Sequence, residues 1–172
     1  MGMNIAKVYD ANVYVNNVST HGKATEVTCP DITPVMSDYN ALGVVGGLKF
    51  FNGFEAMEAT IKWKYADNET LKACSNFVKP INIMVRSSKA VYDSGGELSE
   101  EPVVIYLKGY PTKHVVGGYK RGEDTEYETT IAVFYCKQEV DGEEIIELDA
   151  MNNIYKVNGE DLLADRRQNL GI

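Results

Sequence analysis

Hydrophobic and polar positions alternate along much of this chain, the pattern of half-buried β-strands. From Glu55 to Tyr65, Met57, Ala59, Ile61, Trp63 and Tyr65 point one way, and Glu58, Thr60, Lys62 and Lys64 the other. The second set is wholly polar, so this strand is expected to keep one wet face. Val8–Val15, Lys23–Cys29, Ile81–Val85, Val103–Leu107 and Tyr127–Gln138 are rich in β-branched and aromatic residues and read as further strands. Along the last of these, Tyr127, Ile131, Val133 and Tyr135 are expected on one face. Asp141-Gly142 falls between Val140 and the run Glu143–Glu147, the signal for a type I′ hairpin, whose two central residues need φ > 0.

Two helices are predicted. Asp67 to Phe77 opens with capping residues and then spaces Leu71, Cys74, Phe77 and Val78 as one apolar stripe. The second covers Glu160–Gln168, with Asn158-Gly159 turning the chain into it, Asn158 as its cap and Asp161 at its positive end. Ser87–Glu101 reads as the most loop-like piece. Many strands with a helix laid on them predict a mainly β fold, an antiparallel sandwich or barrel, and not alternating βαβ units.

One segment breaks the pattern. Met36 to Phe54 carries Leu42, Val44, Val45, Leu48, Phe50, Phe51 and Phe54, punctuated by Gly43, Gly46, Gly47 and Gly53. Glycine at that density loosens strand order, yet the apolar side chains need cover. A long, pliable, greasy hairpin on a soluble monomer is a liability unless a partner buries it.

At 172 residues, one domain is the expectation. The chain is 44% hydrophobic and 24% charged, ordinary for a globular protein. No run approaches the ~18–20 apolar residues of a membrane helix. The first residues lack the basic-then-apolar layout of a signal peptide, and Ala6 stands where a myristoylation signal starting at Gly2 needs Ser or Thr. Cys29, Cys74 and Cys136 are scattered and odd in number, which suits reduced, buried thiols rather than a disulfide framework or metal site. The net charge is −8, and the stretch from Glu123 to Asp149, with ten acids and only Lys137 opposing them, accounts for all of it. That disfavours binding to nucleic acid through phosphate contacts.

Catalytic signals are thin. Gly43–Gly47 fits neither a dinucleotide loop nor a phosphate loop, and the common hydrolase, zinc-protease and calcium-loop motifs are absent. His21 and His114 have no motif nucleophile beside them and read as surface histidines. Glu97, Glu100 and Glu101 read as a solvated charge run. No catalytic, cofactor-binding or metal residue is expected.

Several blocks nevertheless resemble one family. Glu139-Val140-Asp141-Gly142-Glu143, Glu147-x-Asp149, Val157-Asn158-Gly159 and the closing Asn169-Leu170-Gly171-Ile172 look like the C-terminus of the major tail tube protein of contractile-tailed phages and R-type pyocins. Gly53-Phe54-Glu55-Ala56-Met57-Glu58-Ala59 looks like that family's strand after its long hairpin, and Val27–Ile32 and Ser37-Asp38-Tyr39 agree in order.

The resemblance implies a single tail-tube domain over residues 1–172, with two packed antiparallel sheets, a flanking α-helix, a short C-terminal helix and an assembly hairpin at about 36–56. It implies hexameric rings, paired edge to edge between inner-sheet strands and stacked into a tube that conducts DNA into the host. Its partners would be copies of itself, the sheath, the baseplate and the tail terminator, with no membrane anchor. Its place would be the virion, after assembly in the bacterial cytoplasm. Under that reading Leu42, Gly43, Val44, Val45, Gly46, Gly47, Leu48, Phe50, Phe51 and Phe54 reach a neighbouring subunit. Glu58, Thr60, Lys62 and Lys64 become a candidate lumen lining, and Glu143, Glu144 and Glu147 a candidate sheath-facing surface. Two other readings stay open: the tube of a DNA-free injection machine, as in pyocins or type VI secretion, and a monomeric β-barrel that binds an apolar ligand.

Overall fold

The computed structural model describes residues 4–96 and 98–172. Its strands are β1 (Ile5–Val15), β2 (Val18–Ser19), β3 (Ala24–Thr28), β4 (Pro34–Tyr39), β5 (Leu48–Phe54), β6 (Met57–Trp63), β7 (Ile81–Tyr92), β8 (Leu98–His114), β9 (Tyr127–Val140), β10 (Glu143–Asp149), β11 (Ile154–Val157) and β12 (Glu160–Asp161). The helices are α1 (Asn68–Cys74) and α2 (Ala164–Leu170).

Every pairing is antiparallel, and β9 organises them. One edge of β9 follows β8 along its length. The other edge is shared, with Tyr127–Val133 pairing β6 and Tyr135–Val140 pairing β10. The sheet forks there, one arm continuing through β6 to β3 and the other through β10 and β11 to β12. On the far side the order runs β8, β7, β1, β2. The sheet curls until β3 lies beside β1 without a ladder between them, so the two layers wrap one core and no barrel closes.

That core takes one face of β1, β6, β7, β8 and β9: Val13 and Val15; Met57, Ala59, Ile61 and Trp63; Ile81, Ile83 and Val85; Leu107; Ile131 and Val133. Each such side chain contributes roughly 1.5–3 kcal/mol relative to exposure. Trp63 Nε1 donates to Thr129 Oγ1 at 3.2 Å, which satisfies the one polar atom of the indole. Beneath the sheet, Asp67 caps α1 by accepting the Thr70 backbone N–H. The mainly β, antiparallel architecture with one flanking and one terminal helix agrees with the sequence reading.

Five local expectations need correction. Tyr135 does not share a face with Val133. Lys108 pairs Tyr135 while Gly109 pairs Val133, so Phe134 bulges out and the side-chain alternation resets, putting Cys136 inside. Phe77 and Val78 do not extend the α1 stripe: the helix ends at Cys74, and both are exposed. Tyr65 lies beyond the end of β6 and is likewise exposed. Ser87–Glu101 is mainly strand, because Lys89–Tyr92 pairs with Leu98–Glu101, Ser87 and Ser88 pair with Val103 and Pro102, and β1 covers β7; Glu97 lies outside the described residues. Asn158-Gly159, at φ 51 and 78, turns β11 into β12, and α2 begins only at Ala164, after Leu163, with no side-chain cap. Two consecutive positive φ values suit a hairpin turn, whereas a helix cap needs extended backbone.

Candidate assembly surfaces

The hairpin β4–β5 forms a separate two-stranded sheet, with no strand ladder to the main one among the described residues. Every residue of β4 is exposed, and Leu42 and Val45 at the tip are fully so. Val44, Leu48 and Phe50 are exposed as well, while Phe51, Gly53 and Phe54 are half-buried. The greasy segment is thus a finger with a wet tip and a docked root. At the root, Phe51 and Phe54 meet edge to face at 5.1 Å, and Phe54 meets Tyr155 of β11 at 4.8 Å.

A second unsatisfied surface is an edge. β1 pairs β7 on one side and β2 only at Tyr14 and Val15, so among the described residues Ile5–Asn12 offers an unpaired margin bearing exposed Ile5, Val8 and Tyr9. Leu98–Glu101 of β8 pairs β7 but not β9, which leaves a shorter open margin on the opposite side of the same three strands. The sequence pattern gave no sign of either edge, because alternation reveals faces and not neighbours.

Glu58, Thr60 and Lys62 lie on the face of β6 turned from the core, and Lys64 is exposed just past the end of that strand. Lys62 is bonded to Glu26 at 2.8 Å, and Glu128 to Lys113 at 2.8 Å. Since Lys62 and Glu128 are cross-strand partners, the four form a row of alternating sign across β3, β6, β9 and β8. Hydrogen bonding to Glu26 raises the Lys62 pKa, and Lys113 lowers that of Glu128. Lys64 pairs with Asp124 at 2.8 Å. This wet face is charged but internally balanced.

The acids of β10 divide. Glu143 is exposed in the turn. Glu144 shares Lys137 with Glu139 at 3.2 and 2.7 Å, and Glu147 binds Lys156 at 2.7 Å while accepting the Tyr135 hydroxyl at 2.9 Å. The Lys156 hydrogen bond holds the Glu147 carboxyl below its usual range, and burial, aided by Glu147, pushes the Tyr135 phenol up. Two of the three acids are therefore already committed.

No group of three or more His, Cys, Asp or Glu among the described residues could hold a metal, and no helix is long and apolar enough to cross a membrane. The cysteines are free; burial pushes Cys136 up to about 11, far from a reactive thiolate. His114 is half-buried, not a surface group. Its Nδ1 lies 3.3 Å from Thr129 Oγ1, and burial lowers its pKa.

An exposed apolar finger, open strand margins and a balanced polar face describe a subunit. The family model for phage tail tube protein FII matches residues 5–171. The chain belongs to that family. This tail tube family member is 29% identical to the tail tube protein of Escherichia phage P2 over 165 residues, covering 94% of each chain. It is 27% identical to the major tail tube protein of Serratia phage KSP20 over 156 residues, covering 90% of this chain and 88% of the relative. Its fold matches two extracellular contractile injection system structures in the extended state, a sheath/tube terminator and a sheath-tube complex. Each superposes with a TM-score of 0.58 at 16% identity over 77% of this chain, and over 95% and 90% of the respective matched chains. The tail tube family member is a structural protein of contractile phage tails.

Proposed function

We propose that six copies close into a ring and that the rings stack into the inner tube through which DNA leaves the virion. The observation that carries this is the fully exposed apolar tip of the β4–β5 hairpin, standing apart from the single core that the main sheet wraps. The open margins give the lateral contact. β1 and β8 are both antiparallel to β7, hence parallel to each other, and they sit on opposite sides of it. A head-to-tail contact between β1 of one copy and Leu98–Glu101 of the next uses different surfaces on each partner. It repeats around a ring without a two-fold axis, and edge pairing removes the aggregation hazard of each margin.

Burying four to six hairpin side chains at roughly 1.5–3 kcal/mol each yields on the order of 6–18 kcal/mol. Association costs about 4–15 kcal/mol. A single contact hardly breaks even, whereas a subunit held by both ring neighbours and the ring below is secure, so growth proceeds from a nucleus. The baseplate supplies that nucleus, the terminator caps the far end, the sheath surrounds the tube, and assembly takes place in the bacterial cytoplasm.

The alternating row Glu26–Lys62–Glu128–Lys113, with Glu58, Thr60 and Lys64 alongside, lines the lumen and offers DNA phosphates no net positive surface to hold. Glu143, with Glu144 and Glu147 behind it, faces the sheath. We assign the chain no catalytic step. Negative-stain microscopy of the purified protein at high concentration tests the reading: rings and hollow tubes are expected, and a protein that stays solitary overturns it.

A further inference from the structure

The root of the hairpin is held by the last elements of the chain. The Arg166 guanidinium lies over the Phe51 ring, 5.8 Å from its centroid. Phe51 packs on Phe54 and Phe54 on Tyr155, so one aromatic row runs from β5 to β11 under α2. Phe51, Phe54, Ile154, Leu163 and Arg166 line one cleft at this root. α2 itself is lightly tethered. It buries no residue and has no side-chain cap. It is held by Arg167, whose Nη1 donates to the Asn153 carbonyl at 2.8 Å and whose guanidinium pairs with Asp161. Next to the row, Gly53 sits within β5 at φ 114, where an L side chain would be strained and a glycine bends freely. At the base of the hairpin its two ends are joined by Glu55 N donating to the Thr33 carbonyl at 2.9 Å.

We infer that α2 is a latch: through Arg166 on Phe51 it fixes the pose of the hairpin in the free subunit, and Gly53 is the hinge about which the hairpin swings when a neighbour takes hold of its tip. The deduction rests on the tube reading for what the hairpin does, but the latch is a property of the single subunit. A tip of flexible glycines on an unlatched root would sweep many directions, and each would have to be lost on binding. A root clamped by one cation–π contact and two ring pairs limits that loss. The clamp remains weak enough to yield.

Hydrogen exchange on the monomeric protein tests this directly. The wild type should show slow exchange at Phe51 and Phe54 and fast exchange over residues 40–47. Arg166→Gln should speed exchange at residues 48–54 by about two- to fivefold, the worth of one exposed cation–π contact, with β7 and β8 unchanged. Arg167→Gln, which frees α2 from Asp161 and Asn153 without touching Phe51, should act in the same direction. Equal exchange at residues 48–54 in wild type and both variants overturns the latch. Tube formation is scored separately: a wild type that never forms tubes removes the tube reading and leaves the exchange result standing.

Discussion

Lys23 Nζ lies 2.5 Å from one carboxylate oxygen of Asp67, while the other oxygen accepts the Thr70 backbone N–H at 2.9 Å. One side chain thus caps α1 and ties it to the turn before β3. The Lys23 hydrogen bond, then those from Thr70, hold the Asp67 carboxyl well below its usual range. A carboxyl depressed in the folded state adds stability above its unfolded pKa of about 4, and loses it as pH falls towards the folded value. Asp67→Ala should therefore cost about 1–2 kcal/mol at pH 7, typical of a lost cap, and less at pH 3. Urea unfolding of both proteins at the two pH values checks this; a gap that does not narrow in acid would count against it.

Gly109 faces the Ala132 carbonyl so closely that a Cβ would stand 2.2 Å from the oxygen and 2.8 Å from Ile131 Cγ2. The close approach accompanies the Phe134 bulge, since Gly109 is the residue across from the register shift. Gly109→Ala should cost at least about 1–3 kcal/mol by overpacking and shift exchange in β8 and β9. Gly118→Ala, with nothing within 4 Å, serves as the control and should change stability by less than about 0.5 kcal/mol. Equal melting temperatures for the two variants would refute the steric account.

Most of the strands were legible because burial on one face leaves a period of two, as in Met57–Trp63. Tyr135 was misplaced because the bulge at Phe134 is written in the partner strand, at Gly109, and period-two reasoning sees one strand at a time. Ser87–Glu101 reads as a loop because its small and polar residues carry no period-two apolar pattern, and within β7 of this arm only Ala90 is fully buried. The hairpin stood out through its composition, apolar side chains among glycines. The clamp at its root did not, because Arg166 and Tyr155 lie about a hundred residues away and only the fold brings them to Phe51 and Phe54.

The acids of β10 make different probes. Glu147 is mostly buried and bonded to both Lys156 and Tyr135, so Glu147→Gln should lower stability by about 1–3 kcal/mol, the range for hydrogen bonds involving a charge. Glu143 is exposed and makes no ion pair within 4 Å among the described residues, so Glu143→Gln should leave stability within about 0.5 kcal/mol. If β10 faces the sheath, Glu143→Gln tubes should form normally and bind sheath more weakly in a sedimentation assay. Normal sheath binding with slowed DNA ejection would place that turn in the lumen instead.

The hairpin tip offers the sharpest separation of folding from assembly. Leu42 and Val45 touch nothing that the subunit needs, so replacing both with Asp should leave unfolding stability within about 0.5 kcal/mol per site. A carboxylate carried into an apolar contact, however, costs several kcal/mol of desolvation, more than the narrow surplus that drives growth. The double variant should remain a folded monomer at concentrations where the wild type forms tubes. Because the contact is apolar, sulfate should promote wild-type growth by strengthening burial, with little effect on the variant. Tubes of normal length from Leu42→Asp/Val45→Asp would show that the tip is not the joining element, and that the strand margins of β1 and β8 hold the rings together without it.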